Sequence, residues 1–458
     1  MDITSFNLSN PWRTGRKWDI PIIERDATAE LIKWLDEPEI LILAGARQVG
    51  KTSILYQLID RLLKSKLAGP EEIYYFNLDF LAISEFITDQ GVFLRFIHAE
   101  KGKKTFVFID EVQRLADPGR FIKSLQDLRL PIKFILTGSF SLDIRTKTQE
   151  PLTGRKQVFR IEPLSFSEYL KTIPDLSSLP VLNPENYRFY INALNGALYD
   201  YGLYGGYPAL VLTPDREKKL MRLNELFSSY LEKDIAGFLK VENIPAFRNL
   251  TTLLSAQQGG LVNIQELAST LGLHRETVSN YIYYLEETFV VKKLTPFFSN
   301  PRTELSKMPK IYFTDPGLRN LAMGNFSELH SRSDAGQILE GIVASHMVQN
   351  RSESHRVHYW RTKSGAEVDF VVSAVQPVQG VEVKAGKLKS MTISRGYRSF
   401  LSKYTPSHAL FLNNTVWDRV EIGERMVEAI PTAVFLLQHT KTEGPQGQGT
   451  GSSHENSH

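Results

Sequence analysis

The sequence predicts an α/β protein in several parts: a parallel sheet flanked by helices, a helical segment, a two-helix unit with a hairpin, and a second α/β domain. Three observations carry this reading. Up to about residue 161, apolar strand-like runs alternate with amphipathic helices, the pattern of a parallel sheet covered on both faces. From Ser165 the pattern turns helical. Beyond about residue 355 strand-like runs return, with charged and apolar residues alternating. The chain has 458 residues, more than one hydrophobic core organises. The segments divide as an N-terminal arm (1–20), a sheet core (21–163), a helical lid (164–243), a two-helix unit with hairpin (244–325), a second α/β domain (326–440) and a tail (441–458).

Composition excludes several classes. Hydrophobic residues at 42% and charged residues at 23% are those of an ordinary globular protein. The net charge is only +3, so contact with nucleic acid must come from local clustering. There is no cysteine, which excludes disulfides, thiolate metal sites and thiol nucleophiles. No apolar run approaches bilayer-spanning length. The opening "MDITSFNLSNPWRTGRKWD" lacks the apolar core of a signal peptide. The expectation is a cytoplasmic protein without a membrane partner.

The first informative stretch is "EILILAGARQVGKTSILYQLIDRLL". An apolar strand, Ile40 to Leu43, precedes a glycine-rich loop. A helix follows, with apolar residues at Ile54, Leu55, Leu58, Ile59 and Leu62. Gly45, Ala46, Arg47, Gln48, Val49, Gly50, Lys51 and Thr52 fit G-x-x-x-x-G-K-[ST], and Ser53 follows. Glycines let backbone N–H groups curl around phosphates, and the helix N-terminus favours anions there. Lys51 reaches the β- and γ-phosphates in such a loop, and Thr52 holds Mg²⁺. ATP and Mg²⁺ are the ligands expected. A plain surface turn is the competing reading, disfavoured by the strand before and the helix after.

A second stretch, "KKTFVFIDEVQRL", is an apolar strand, Phe106 to Ile109, ending in Asp110 and Glu111. Asp110 suits the magnesium and Glu111 the attacking water. Alone, such acids equally cap a helix; following a phosphate loop, they read as catalytic. "PIKFILTGSFSLDI" is a further buried strand ending at Ser139.

Together with "PLTGRKQVFRIEPLSFSEYL", these segments resemble the archaeal and bacterial AAA-like ATPases that carry a winged helix and a nuclease-like tail. The resemblance runs from about Ile22 to about His439. It implies a sensor hydroxyl near the γ-phosphate at Ser139. It also implies an arginine finger at Arg155, reaching a neighbour's nucleotide in a homo-oligomeric ring. An ordinary surface arginine stays open for Arg155. "GGYPALV", Gly205 to Val211, resembles the lid element of related signal-transduction ATPases, in which Pro208 lies against adenine. A helix-breaking turn explains the same residues.

The middle of the chain reads "NIQELASTLGLHRETVSNYIYYLEETFVVKKLTPFF". Two short helices, Ile264 to Leu271 and about Arg275 to Thr288, flank a turn at Gly272, as in a helix-turn-helix. His274, Arg275, Thr277 and Asn280 project outward near the start of the second helix, where side chains reach bases or phosphates. Two strand-like runs follow, flanking a basic loop with Lys292, Lys293, Arg302, Lys307 and Lys310. This is the pattern of a winged helix, with Lys292 and Lys293 as phosphate contacts on DNA. A winged helix that docks protein is the alternative, and Glu276, Glu286 and Glu287 favour it.

Near the C-terminus, "GQILEGIVASHMVQ" is an amphipathic helix carrying Glu340. "HRVHYWRTKSGAEVDFVVSA" reads as a hairpin turning at Ser364–Gly365, with Glu367 and Asp369 on one face. Glu382 and Lys384 lie on the next strand. Glu340, Asp369, Glu382 and Lys384 resemble the PD-(D/E)xK, restriction-endonuclease-like superfamily. There, acids hold one or two Mg²⁺ or Mn²⁺ ions and lysine activates water. A structural ion-pair cluster in a degenerate domain fits the same residues. The last twenty residues, "HTKTEGPQGQGTGSSHENSH", are expected to be disordered.

The reading is a Mg²⁺-dependent ATPase of AAA type, oligomeric, coupling ATP to DNA binding or processing. An ATP-gated metal-dependent nuclease and a nucleotide switch acting on a partner protein remain as alternatives.

Overall fold

Five strands, all parallel, form the first sheet: β1 (Ile40–Ala44), β2 (Ile73–Asn77), β3 (Thr105–Asp110), β4 (Ile132–Gly138) and β5 (Lys156–Arg160). Their order is β2-β3-β4-β1-β5. β1 is buried at all five positions because both faces of the sheet are covered. Leu41 and Leu43 join one apolar cluster, and Ile40, Ile42 and Ala44 join the other. That is why the sequence shows a continuous apolar run and not an alternation. β4 is inserted between β1 and β3. Ala44 stands opposite Gly138, and Ile109 opposite Leu136, so the C-terminal ends of these three strands lie abreast. In open parallel sheets, ligands bind at such a change of strand order.

The computed structural model describes residues 3–19, 23–98, 103–138, 152, 154–297, 308–351, 354–373, 378–386, 393–406, 408–423 and 425–438. They fall into two compact units: 1–294 with 308–342, and 295–307 with 343–458. The sheet core, the lid and the two-helix segment thus share one unit. The division between the two units near the end falls at residue 342. The tail expected to be disordered lies outside the described residues.

In the first unit, α1 (Lys51–Lys64) buries Ile54, Leu55, Leu58, Ile59 and Leu62, as its spacing predicts. The lid holds α2 (Ile191–Tyr204), α3 (Pro208–Val211), α4 (Arg216–Ser229) and a π-helical segment, Tyr230–Phe238. Next come α5 (Ile244–Ala256), α6 (Ile264–Leu271) and α7 (Arg275–Glu287), then an antiparallel pair, β6 (Val291–Leu294) with β7 (Lys310–Phe313). Gly272 ends α6 at φ 63°, left-handed backbone that glycine adopts without strain. Leu267, Ala268, Val278, Ile282 and Leu285 join the same apolar cluster as the β1 face. α8 (Pro316–Met323) follows, then α9 (Ala335–Gln349), within which the first unit ends at residue 342.

In the second unit, β8 (Arg356–Arg361), β9 (Glu367–Ser373) and β10 (Gln379–Val383) form an antiparallel meander. α10 (Arg395–Tyr404) leads to β11 (His408–Asn413), parallel to β10. β12 (Asp418–Ile422) and β13 (Arg425–Pro431) complete the order β12-β13-β11-β10-β9-β8. Trp360, Val368, Val371, Tyr397, Phe400 and Phe411 pack on this sheet. Among the described residues, no helix is long and apolar enough to cross a membrane.

Candidate nucleotide site

The loop between β1 and α1 is tied down at its base. Gly45 N–H donates to Gly138 O, and a Cβ on Gly45 would lie 2.0 Å from the Ile161 carbonyl oxygen. Only glycine fits there. Gln48 (φ 61°) and Gly50 (φ 94°) turn the chain through left-handed backbone. Lys51 then begins α1, 5% exposed, its Nζ donating to the carbonyls of Gly45 (3.0 Å) and Ala46 (2.9 Å). Burial pulls the Lys51 ammonium below the ordinary lysine range, against the opposing pull of Glu111 and Asp110.

Asp110 ends β3 at 2% exposure. Its Oδ2 accepts from Thr52 Oγ1 (2.7 Å) and Tyr75 Oη (2.9 Å), and its Oδ1 accepts from Thr137. Burial pushes its carboxyl above the usual range, while the Thr137 and Thr52 hydrogen bonds hold it down. A cation beside Asp110 and Thr52 would relieve that burial, so these residues fit a magnesium ion. Glu111 sits at φ 59°, a conformation sparse for a non-glycine residue. Its N–H donates to Thr137 Oγ1 (3.0 Å), and its carboxylate accepts from Gln113. Lys51, Thr52, Asp110 and Glu111 therefore converge, as the two motifs require.

Further residues surround these. Thr137 and Tyr75 were not anticipated. The hydroxyl two residues before Ser139 was the available signal for Thr137, whereas Tyr75 reads as an ordinary strand residue. Arg47 pairs with Asp234 of the π-helical segment at 2.6 Å. Burial pushes Asp234 up to about 6, with Arg47 pulling it down. The Arg25 guanidinium donates to Val49 O at 2.6 Å. Pro208 lies near the loop, its Cγ 3.7 Å from where a Gly50 Cβ would stand. Ser53 is partly buried in the first turn of α1. Ser139 lies outside the described residues. Arg155 is engaged by Asp127 within the chain.

The outward face at the start of α7 is as expected: His274, Arg275 and Asn280 are exposed and Thr277 is half-buried. Two lysines of the expected basic loop are corrected. Lys292 is 10% exposed and donates to Glu162 Oε2 at 2.6 Å, so it faces the protein interior. Lys310 is 2% exposed and pairs with Glu340. Their positions on β6 and β7 point them inward, which sequence alternation alone did not reveal. Lys293 pairs with Glu286 at 3.4 Å, and Arg302 and Lys307 lie outside the described residues.

The expected acid cluster is met in part. Glu340 accepts from Tyr312 Oη at 2.6 Å and pairs with Lys310, so its carboxylate is engaged within the first unit. In the second unit, Glu382 is 3% exposed, and its Oε1 lies 2.9 Å from Lys384 Nζ. Its Oε2 has no hydrogen-bond partner among the described residues. Asp369 Oδ2 accepts from Val383 N–H at 2.8 Å. Among the described residues, no group of three or more His, Asp or Glu is spaced to hold a metal ion.

Comparison with known proteins bears on the first region. Residues 37–170 match the AAA domain family. This AAA match opens just before β1 and takes in Lys51, Thr52, Asp110, Glu111 and Thr137, leaving Asp234 outside. Residues 195–329 match a domain of unknown function (DUF8612), and residues 335–435 another (DUF4143). An uncharacterized protein of Mycobacterium tuberculosis, Rv2008c, is 28% identical over 83% of this chain and 77% of its own. An uncharacterized protein of Haemophilus influenzae is 25% identical over 77% of this chain and 84% of its own. The Walker-type ATPase PABY2304 of Pyrococcus abyssi overlaps 66% of this chain and 96% of its own at 14% identity and TM-score 0.45, below the level at which a shared fold follows.

Proposed function

We propose that the protein is a Mg²⁺-dependent ATPase of AAA type, oligomeric, whose nucleotide state controls binding or processing of DNA. The observation that carries the ATPase reading is the hydrogen bond from Thr52 to Asp110, which brings the ends of two separate motifs to one point beside Lys51. In this reading Lys51 leaves the Gly45 and Ala46 carbonyls for the β- and γ-phosphates. Thr52 and Asp110 would hold Mg²⁺, which when bound would neutralise phosphate charge. Glu111, steadied by Gln113 and Thr137, accepts a proton from the attacking water. Asp110, with both oxygens occupied by hydroxyl donors, holds its orientation and leaves the proton transfer to Glu111.

The DNA reading rests on the exposed His274, Arg275 and Asn280 of α7 and on Lys293 of the hairpin, in a unit of three helices and a hairpin that we read as a winged helix. Oligomer formation rests on Arg155, which would exchange Asp127 for a neighbour's nucleotide. The deciding experiment measures ATP turnover and particle mass with and without duplex DNA, for wild type and Glu111→Gln. We expect DNA-stimulated turnover in the wild type, and bound but unhydrolysed ATP in the variant. Normal hydrolysis by Glu111→Gln removes Glu111 from its role. Turnover and mass indifferent to DNA favour a switch acting on a protein partner.

A second reading, ATP-gated DNA cleavage in the unit we read as nuclease-like, is favoured by one specific observation: the buried Glu382 Oε2, which has no hydrogen-bond partner among the described residues. A divalent cation shared with Asp369 would satisfy it, and Lys384 would supply fixed positive charge. Asp369→Ala should abolish metal-dependent cleavage and leave ATP turnover intact.

A further inference from the structure

We propose that Arg25, which lies outside both nucleotide motifs, is a positioning residue of the phosphate loop. The inference rests on the ATPase reading above. Arg25 is 4% exposed, and each of its three guanidinium nitrogens donates a hydrogen bond. One terminal nitrogen donates to the Val49 carbonyl at 2.6 Å. The other donates to the Glu162 carbonyl at 2.7 Å, and Nε to Glu168 Oε1 at 2.9 Å. The backbone that carries it is held by α1: Gln57 Oε1 accepts from Arg25 N–H and from Thr28, while Gln57 Nε2 donates to Ile23 O. Glu168 is fixed in turn, since its Oε1 also accepts from Asp26 N–H and its Oε2 accepts from Ser165 N–H.

The consequence lies in the peptide between Val49 and Gly50. A trans peptide directs its C=O and N–H to opposite sides. With the Val49 oxygen drawn out to Arg25, the Gly50 N–H faces the other way, into the curve of the loop. A phosphate-binding loop works only while its N–H groups point inward together. Gly50 is the weak point of that arrangement. It sits at φ 94° with no side chain to restrain it, and a peptide beside glycine flips readily. A flip would have to break the hydrogen bond from Arg25 to Val49 O, which restrains the peptide where glycine does not. Arg25 does not touch substrate in this arrangement. It acts through the peptide.

A charged donor on one carbonyl contributes about ten- to a hundredfold in an equilibrium. The test measures binding of ATP, ADP and adenosine by calorimetry, well below the melting temperature, for wild type, Arg25→Lys, Arg25→Gln and Glu168→Gln. We expect Arg25→Gln to lose about tenfold or more in ATP and ADP affinity, while any adenosine binding is unchanged. Arg25→Lys, keeping charge without the fork, should recover part of it, and Glu168→Gln should show a smaller loss of the same kind. A purely structural arginine would lower the melting temperature of its variants without separating phosphorylated ligands from adenosine. Should Arg25→Gln fail to fold, the Lys and Glu168 variants carry the test. Folded variants that bind ATP as the wild type does overturn the assignment of Arg25. A wild type that binds no ATP overturns instead the reading on which it rests.

Discussion

The two acid-bearing strand ends of this molecule are treated in opposite ways. At the end of β3, Asp110 is buried and every oxygen has a hydroxyl donor. At the end of β10, Glu382 is equally buried, yet one oxygen has no partner among the described residues. Burying a polar group without a partner costs a few kcal/mol. The first strand end is thus finished within the fold. The second is incomplete, and either an ion completes it or the domain carries a standing penalty. Similar motifs in sequence therefore do not imply similar readiness for chemistry.

The sharpest way to break this contrast is at the loop. Lys51→Ala should lower ATP turnover by about a hundredfold or more, because it removes the cation facing the developing phosphate charge. Steady-state phosphate release measures it, and turnover within twofold of wild type would remove the loop from the chemistry. Next comes the second unit. If Glu382 and Asp369 share an ion, Mn²⁺ at a hundredfold over its Kd should stabilise the wild type by about 2.7 kcal/mol. Asp369→Asn should abolish that gain. A melting temperature indifferent to Mn²⁺ would mark Glu382 and Lys384 as an ion pair only. Gly45→Ala should cost about 1–3 kcal/mol by overpacking against the Ile161 carbonyl, read from denaturant midpoints.

The smallest effect concerns Asp234. It pairs with Arg47, with Lys51 and Glu111 the other charges around it, so in the proposed ATPase it would compete with phosphate for that arginine. Asp234→Asn should tighten ATP binding by a few-fold, roughly 1 kcal/mol. Its carboxyl is pushed up to about 6 in the fold, above its unfolded value. The folded state therefore holds a proton that the unfolded state releases. The stability this gives is present in full below pH about 4 and is lost as pH rises through 6. Melting curves of Asp234→Asn should lack that slope, and an unchanged slope would assign it to another group, such as Asp315.

Much of the nucleotide site was legible in the residues themselves. The loop from Gly45 to Thr52 and the strand ending at Asp110 are contiguous, and each carries its own signature. The helix faces of α1, α6 and α7 follow from apolar spacing. That Lys292 and Lys310 face inward was hidden because β6 and β7 are only four residues each, too short for an alternation in sequence to show which way a lysine points. The pairing of Glu340 with Lys310 was hidden for a related reason: a helix face tells that a side chain is near the core, but not which cation it meets there.

The sequence alone therefore determined what is local or periodic: the phosphate loop, the acidic strand end, the amphipathic helices and the absence of thiol chemistry. Only the tertiary structure decided the partners: Arg25 with Val49, Arg47 with Asp234, Lys292 with Glu162, and Thr137 with Asp110. Most of these pairs lie far apart along the chain, 187 positions for Arg47 and Asp234. Such a pairing depends on how the sheet and helices stack, and no pattern within either segment records it.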